Sequence, residues 1–176
     1  MSAPGCAYHF GLTERKLPGG YGQVGIPMFK NKSQEVGIEP LFTNSLITHF
    51  ERSQAARVTD KDIAPVVLEG VITSVVTTQG AVEDSTNLLS LPADAVLTTQ
   101  YVIVVQSTLT LRRKSDDKVI WIGTFRNEKV YSSPVIGTAV VNSADATYNQ
   151  SARIQTIALL AEEMMTEAHD RITENY

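Results

Sequence analysis

Residues 154–172 read IQTIALLAEEMMTEAHDRI. Within them Ile154, Ile157, Ala161, Met164, Ala168 and Ile172 recur every third or fourth residue. Glu162, Glu163, Glu167, Asp170 and Arg171 fall largely outside that stripe. The period predicts a helix from about Ala146 to Glu174 with a single apolar face. Each large side chain buried along it contributes ~1.5–3 kcal/mol, as an upper estimate. Such a face needs a sheet to cover it.

The chain upstream supplies one. Residues 97–113 alternate, with Tyr101, Ile103, Val105, Ser107, Leu109 and Leu111 on one face and Gln106, Thr108, Thr110 and Arg112 on the other. That is the pattern of a half-solvated antiparallel strand. Residues 66–78 form a second strand: Leu68, Gly70, Ile72, Ser74 and Val76 share one face, and Val67, Glu69, Val71, Thr73 and Val75 share the other. A third runs from Val119 to Tyr131, with Val119, Trp121, Gly123 and Phe125 inward. Ser115-Asp116-Asp117-Lys118 is turn material joining it to the preceding strand. Gln23 to Phe29 is a fourth candidate, in which Pro27 argues for an edge or a bulge. Segments 80–95 and 132–145 read as loops.

A second helix is predicted from near Glu39. Pro40 is tolerated only in the first turn, and Ile38, Leu41, Phe42, Ser45, Leu46, His49 and Phe50 share one side. The expected fold is α+β, with order β-α-β-β-β-α. It is a two-layer sandwich in which two helices pack on one face of a four-stranded, mostly antiparallel, mixed sheet. Residues 1–21, rich in glycine and without periodicity, are expected to be an N-terminal tether to a single domain over 22–176.

Composition narrows the function. The formal net charge of −4 lacks the basic excess of a nucleic-acid-binding protein. No apolar run approaches the ~18 residues of a membrane span. No catalytic constellation is visible: His9, His49 and His169 are scattered, and there is no Gly-x-Ser-x-Gly elbow. Glycines 19, 20 and 22 lack the Gly-Lys-Ser/Thr of a phosphate loop. Cys6 and His9 have ligand-like spacing, but no second pair completes a metal site. Neither an enzyme, a metal nor a cofactor is expected.

Two features remain. Arg112, Arg113, Lys114 and Lys118 cluster about the hairpin, and Arg126 and Lys129 follow on the next strand. They read either as a solvated tip that keeps an edge soluble or as an anion-binding patch. Cys6, the single cysteine, has no internal disulfide partner and follows the small residues Ser2, Ala3, Pro4 and Gly5. It reads either as a free thiol or as the lipidated residue of a processed export signal.

Several segments, in order, are similar to a known family: Gly5-Cys6-Ala7-Tyr8-His9-Phe10, Leu17-Pro18-Gly19-Gly20, and Val24-Gly25-Ile26-Pro27-Met28-Phe29-Lys30-Asn31-Lys32. Gly37-Ile38-Glu39-Pro40-Leu41-Phe42-Thr43-Asn44-Ser45-Leu46, Val67-Leu68-Glu69-Gly70-Val71-Ile72-Thr73-Ser74 and the terminal helix continue the match. The chain resembles the lipopolysaccharide-assembly outer-membrane lipoproteins LptE, also called RlpB. Ala3, where a lipobox normally has leucine, and residues 80–96 depart from the family pattern. The resemblance implies a lipid anchor at Cys6 and a place on the periplasmic side of the outer membrane. It also implies a β-barrel partner, the translocon LptD, in which the domain sits as a plug, and binding of lipopolysaccharide. On this view Arg112, Arg113, Lys114, Lys118, Arg126 and Lys129 would meet its phosphates. The other reading is a periplasmic scaffold or binding lipoprotein serving another envelope polymer or export machine.

Overall fold

A computed structural model describes residues 15–80, 82–84, 96–98, 100–132 and 146–174. Its elements are β1 (Gln23–Gly25), β2 (Lys30–Asn31), α1 (Glu39–Ser53), β3 (Arg57–Thr59), β4 (Val66–Gln79), β5 (Val82–Asp84), β6 (Val96–Thr98), β7 (Gln100–Arg113), β8 (Val119–Ser132) and α2 (Ala146–Thr173).

The architecture is α+β with a mixed sheet, as expected, but the main sheet has six strands rather than four. Its order is β3-β1-β4-β7-β8, with β2 also paired to β4. The β1, β2 and β3 pairings are parallel, whereas β4/β7 and β7/β8 are antiparallel. Two departures account for the difference. The stretch expected as one strand, Gln23 to Phe29, is split into β1 and β2. Gly25 pairs with Val67 and Lys30 with Val71, so β4 spans the break with one residue fewer. Pro27 sits in that gap, where its missing N–H costs no ladder bond. The second departure is β3, three residues too short to show a period. A further pair joins β5, inside the segment read as a loop, to β6, which overlaps the start of the strand expected from Leu97.

The strap across the gap is tied to α1. The Phe29 N–H donates to Thr43 Oγ1 (3.0 Å), and that hydroxyl donates to Glu39 O (2.8 Å). A backbone group leaving the ladder thereby regains a partner. The Phe29 ring lies over Gly70, where a Cβ would stand 2.2 Å from it, so the strap can close only on a residue without a side chain. Helix α1 begins with Pro40 in its first turn and ends at Gln54 (φ 55°), whose N–H bonds Phe50 O.

Both helices lie on one face of the main sheet. Phe42, Leu46 and Phe50 of α1 and Ile157, Leu160, Ala161, Met164, Met165, Ala168 and Ile172 of α2 are buried there. They meet Leu68, Ile72, Ile103, Val105, Leu109, Leu111 and Phe125 from the strands. In β7 the expected inward face is correct from Ile103 to Leu111. In β8 Trp121, Gly123 and Phe125 turn inward as expected, while Val119 is 41% exposed. In β4 the expected alternation holds to Ile72 and then reverses. The register with β7 slips between Ile72 and Ser74, so Val75 faces Val105 and the core while Val76 is exposed. The extra residue, Thr73, marks a bulge, and its Oγ1 donates to Gln106 O (3.0 Å). In α2 the first stripe residue, Ile154, is 43% exposed. Leu17, within the expected tether, is buried in the core, and Arg15 pairs with Asp170 at 2.7 Å.

Candidate functional site

The sheet face away from the helices carries a groove of about 410 Å³. Its floor and walls include Pro27, Met28, Val67 and Gly70. Its rim holds four cations, Lys30, Lys61, Arg112 and Lys114, against three carboxylates, Asp62, Glu69 and Asp117.

Local structure sets each of these. The turn after β3 is wound by Asp60: its carboxylate accepts the Asp62 N–H, and its carbonyl accepts those of Ile63 and Ala64. This turn crosses directly over Gly25, where a Cβ would come within 2.6 Å of Lys61 Cα. Lys61 and Asp62 are thus brought to the groove by a glycine in a neighbouring strand. Lys30 arrives through the β2–β4 pairing and lies 3.9 Å from Glu69. Arg112 Nε is 3.9 Å from the other Glu69 oxygen, and Arg112 Nη1 donates to Asp117 O at 2.8 Å and lies 3.4 Å from Asp117 Oδ2. Asp117 takes a left-handed conformation (φ 56°) in the hairpin turn, one that Asp tolerates better than most residues. Lys114 Nζ donates to the Asp62 and Lys61 carbonyls, closing the hairpin against the β3–β4 turn. Glu69 therefore stands between Lys30 and Arg112, and an arriving anion would compete with it for both.

The six basic residues singled out from the sequence do not form one patch. Arg112 and Lys114 line the groove. Arg113 is held by Asp116 through two hydrogen bonds (2.9 and 2.8 Å). That pairing raises the guanidinium's pKa and draws the Asp116 carboxyl below the usual range. Lys118 is exposed in the turn. Arg126 shares the open face but lies opposite Gln106, about 20 Å along the strand from Arg112 at ~3.4 Å per residue. It pairs with Glu128 at 3.6 Å. Lys129 faces the helices and bonds Glu163, holding that carboxyl below its ordinary pKa. Lys30 and Lys61 were missed. Nothing local marks them, because one depends on the strand split at Pro27 and the other on the turn over Gly25. Cys6 lies outside the described residues.

A second cluster mimics a catalytic triad. Ser53 Oγ is 2.7 Å from His169 Nε2, and His169 Nδ1 is 3.3 Å from Asp170 Oδ1. A cavity of about 450 Å³ opens beside Ser53. However, Ser53 Oγ also accepts the Ala55 N–H and lies within 3.3 Å of Phe50 O, as a group closing a helix end does. Asp170 is already paired with Arg15. His169 is 3% exposed, packs edge-on against Phe50, and has its pKa pushed below normal by burial. These groups pin the N-terminal segment and both helix ends together. Among the described residues no group of His, Cys, Asp and Glu is arranged to hold a metal ion. No described helix is long and apolar enough to cross a membrane.

Comparison with curated proteins finds no match. Solved structures share the fold. A neuraminyllactose-binding hemagglutinin homologue from Helicobacter pylori superposes with a TM-score of 0.57 at 15% identity, over 94% of this chain and 90% of that one. A dodecameric PelC variant from Paraburkholderia phytofirmans gives 0.55 at 13% identity, over 99% and 96%. Lipoprotein B of Nitrosomonas europaea gives 0.52 at 10% identity, over 98% and 91%. At such identities the likeness concerns the fold alone. The family profile described as "LptE: Lipopolysaccharide-assembly" matches residues 21–175, nearly the whole described body. With the split first strand, the three long strands and the terminal helix inside the match, this chain belongs to the LptE lipopolysaccharide-assembly family.

Proposed function

We propose that this protein is an outer-membrane lipoprotein, anchored through Cys6 on the periplasmic side, that plugs an LptD-type β-barrel and helps insert lipopolysaccharide. It acts by binding and positioning, without catalysis or cofactor. The observation that carries the reading is the groove. Lys30, Lys61, Arg112 and Lys114 ring an apolar floor of Pro27, Met28 and Val67. Guanidinium and ammonium groups suit phosphate, and an apolar floor suits the start of an acyl chain. Membership of a lipopolysaccharide-assembly family supports lipopolysaccharide as the class of ligand.

Lys30→Gln and Arg112→Gln together should weaken binding of purified lipopolysaccharide several-fold; the melting temperature should drop only modestly, because Arg112 also bonds Asp117 O in the hairpin. Arg113→Glu is the internal control: its side chain is engaged by Asp116, and its effect should be smaller. Equal loss from both variants, or no loss from the first, removes the groove from the mechanism. Copurification from outer membrane tests the partner. Recovery of a large β-barrel supports the plug, whereas its absence favours a scaffold for another envelope polymer.

A further inference from the structure

The two edges of the main sheet are unlike. β3 is three residues long, whereas β8 runs fourteen, from Val119 to Ser132. Among the described residues no strand pairs with the outer side of β8. An edge of that length is a template for another strand unless something blocks it.

Which groups face outward follows from β7. The Arg113 N–H bonds Lys118 O, so odd-numbered β7 residues bond toward β8. The Lys114 N–H bonds Pro65 O, and the Gly80 N–H bonds Gln100 O, so even-numbered ones bond toward β4. Gln106 lies opposite Arg126 and Val104 opposite Glu128. Arg126 and Glu128 therefore turn their N–H and C=O away from β7, since alternate antiparallel pairs exchange no bonds. The Glu128 N–H is stoppered by its neighbour's side chain, Asn127 Oδ1, at 2.8 Å. That contact stands in for the carbonyl of an absent strand.

We propose that β8 is a self-recognition edge on which two copies of this chain pair antiparallel, with the two-fold axis at Asn127. This goes beyond the plug function and does not depend on it. In this register Arg126 lies opposite Glu128 of the other copy, and Glu128 opposite Arg126. Both pairs have outward backbone groups, so each exchanges two hydrogen bonds, and both join opposite charges on the open face. Shifting the axis to Arg126 or to Glu128 sets like charges face to face, which is destabilising. The exposed Val130 would cover Thr124 of the second copy. Lys129, which could guard the edge, is turned to the helix side and held by Glu163. The edge is thus self-complementary in charge, whereas edges built to repel carry charges that oppose addition.

The test uses the unlipidated full chain with Cys6→Ser, so that no disulfide contributes, in sedimentation equilibrium from about 1 µM to 1 mM. A concentration-dependent dimer is expected. Arg126→Glu and Glu128→Arg should each weaken it roughly tenfold or more, because symmetry spoils two pairs at once. Mixing the two variants should restore association, as should the double exchange R126E/E128R. Circular dichroism melts taken at a concentration where the chain is monomeric should be nearly unchanged, since both side chains are exposed. A monomer at every concentration overturns the proposal. So does a dimer indifferent to single reversal, or one that neither mixing nor the double exchange rescues.

Discussion

The two faces of the same strands behave differently. On the helix side β4, β7 and β8 present Leu68, Ile72, Ile103, Leu109, Leu111 and Phe125 to a sealed core. On the other side the same strands present Glu69, Thr108, Gln106, Thr124, Arg126 and Ile122, with no helix over them among the described residues. The first face stabilises the domain. The second can change its chemistry at little cost in stability, and the cationic groove lies there. Such a division suits the binding role proposed above, because a surface can carry polar and apolar groups together only where packing does not dictate the side chain.

The contrast can be broken at graded strength. Phe42→Ala removes a fully buried ring touching Phe29 and should cost about 3–5 kcal/mol by urea unfolding. A loss near that of a surface substitution would mean that α1 does not seal the core. Gly70→Ala adds one methyl against the Phe29 ring and should cost about 1–3 kcal/mol. If the strap adapts instead, the melting temperature will not move.

His169 sharpens the comparison through pH. Burial favours its neutral form in the fold, so the unfolded chain takes up the proton first as pH drops below ~6.5. Its contribution is intact above that value and is lost as pH falls toward the lower folded-state pKa. Between about pH 7.5 and pH 5.5 the melting temperature should fall more for the wild type than for His169→Gln. Parallel profiles would show that the ring is not the sensor. Thr124→Ala, on the open face, should change stability by no more than about 0.5 kcal/mol. A larger loss would mean that this face too contributes to folding.

Much of this was legible beforehand. Period-two alternation in β7 was sufficient because the extra residues of both its irregular pairings lie on the partner strands, Thr73 in β4 and Ile120 in β8, and β7 itself alternates unbroken. The α2 stripe was right except at Ile154, the first residue of the stripe. Errors arose where one residue was inserted. The bulge at Thr73 exchanges the faces of β4 beyond it, and an alternating Val/Thr run looks equally good in either phase. The strand broken at Pro27 and the three-residue β3 are too short for any period to declare them. The site fared worse for the same reason. Arg112 and Lys114 are neighbours in sequence and were found, whereas Lys30 and Lys61 join them only through strand pairing and a turn that crosses Gly25.

The amino-acid sequence by itself determined the class of fold, the two amphipathic helices and the inward face of the central strand, since hydrophobic burial acts on local periodicity. It also marked the family, through short segments kept in order. Only the tertiary structure decided which cations share a groove, which carboxylates oppose them, and which strands lie at the edges of the described sheet. Those depend on register, and register is set by the packing of distant residues, Phe29 on Gly70 and Lys61 over Gly25, which no local pattern records.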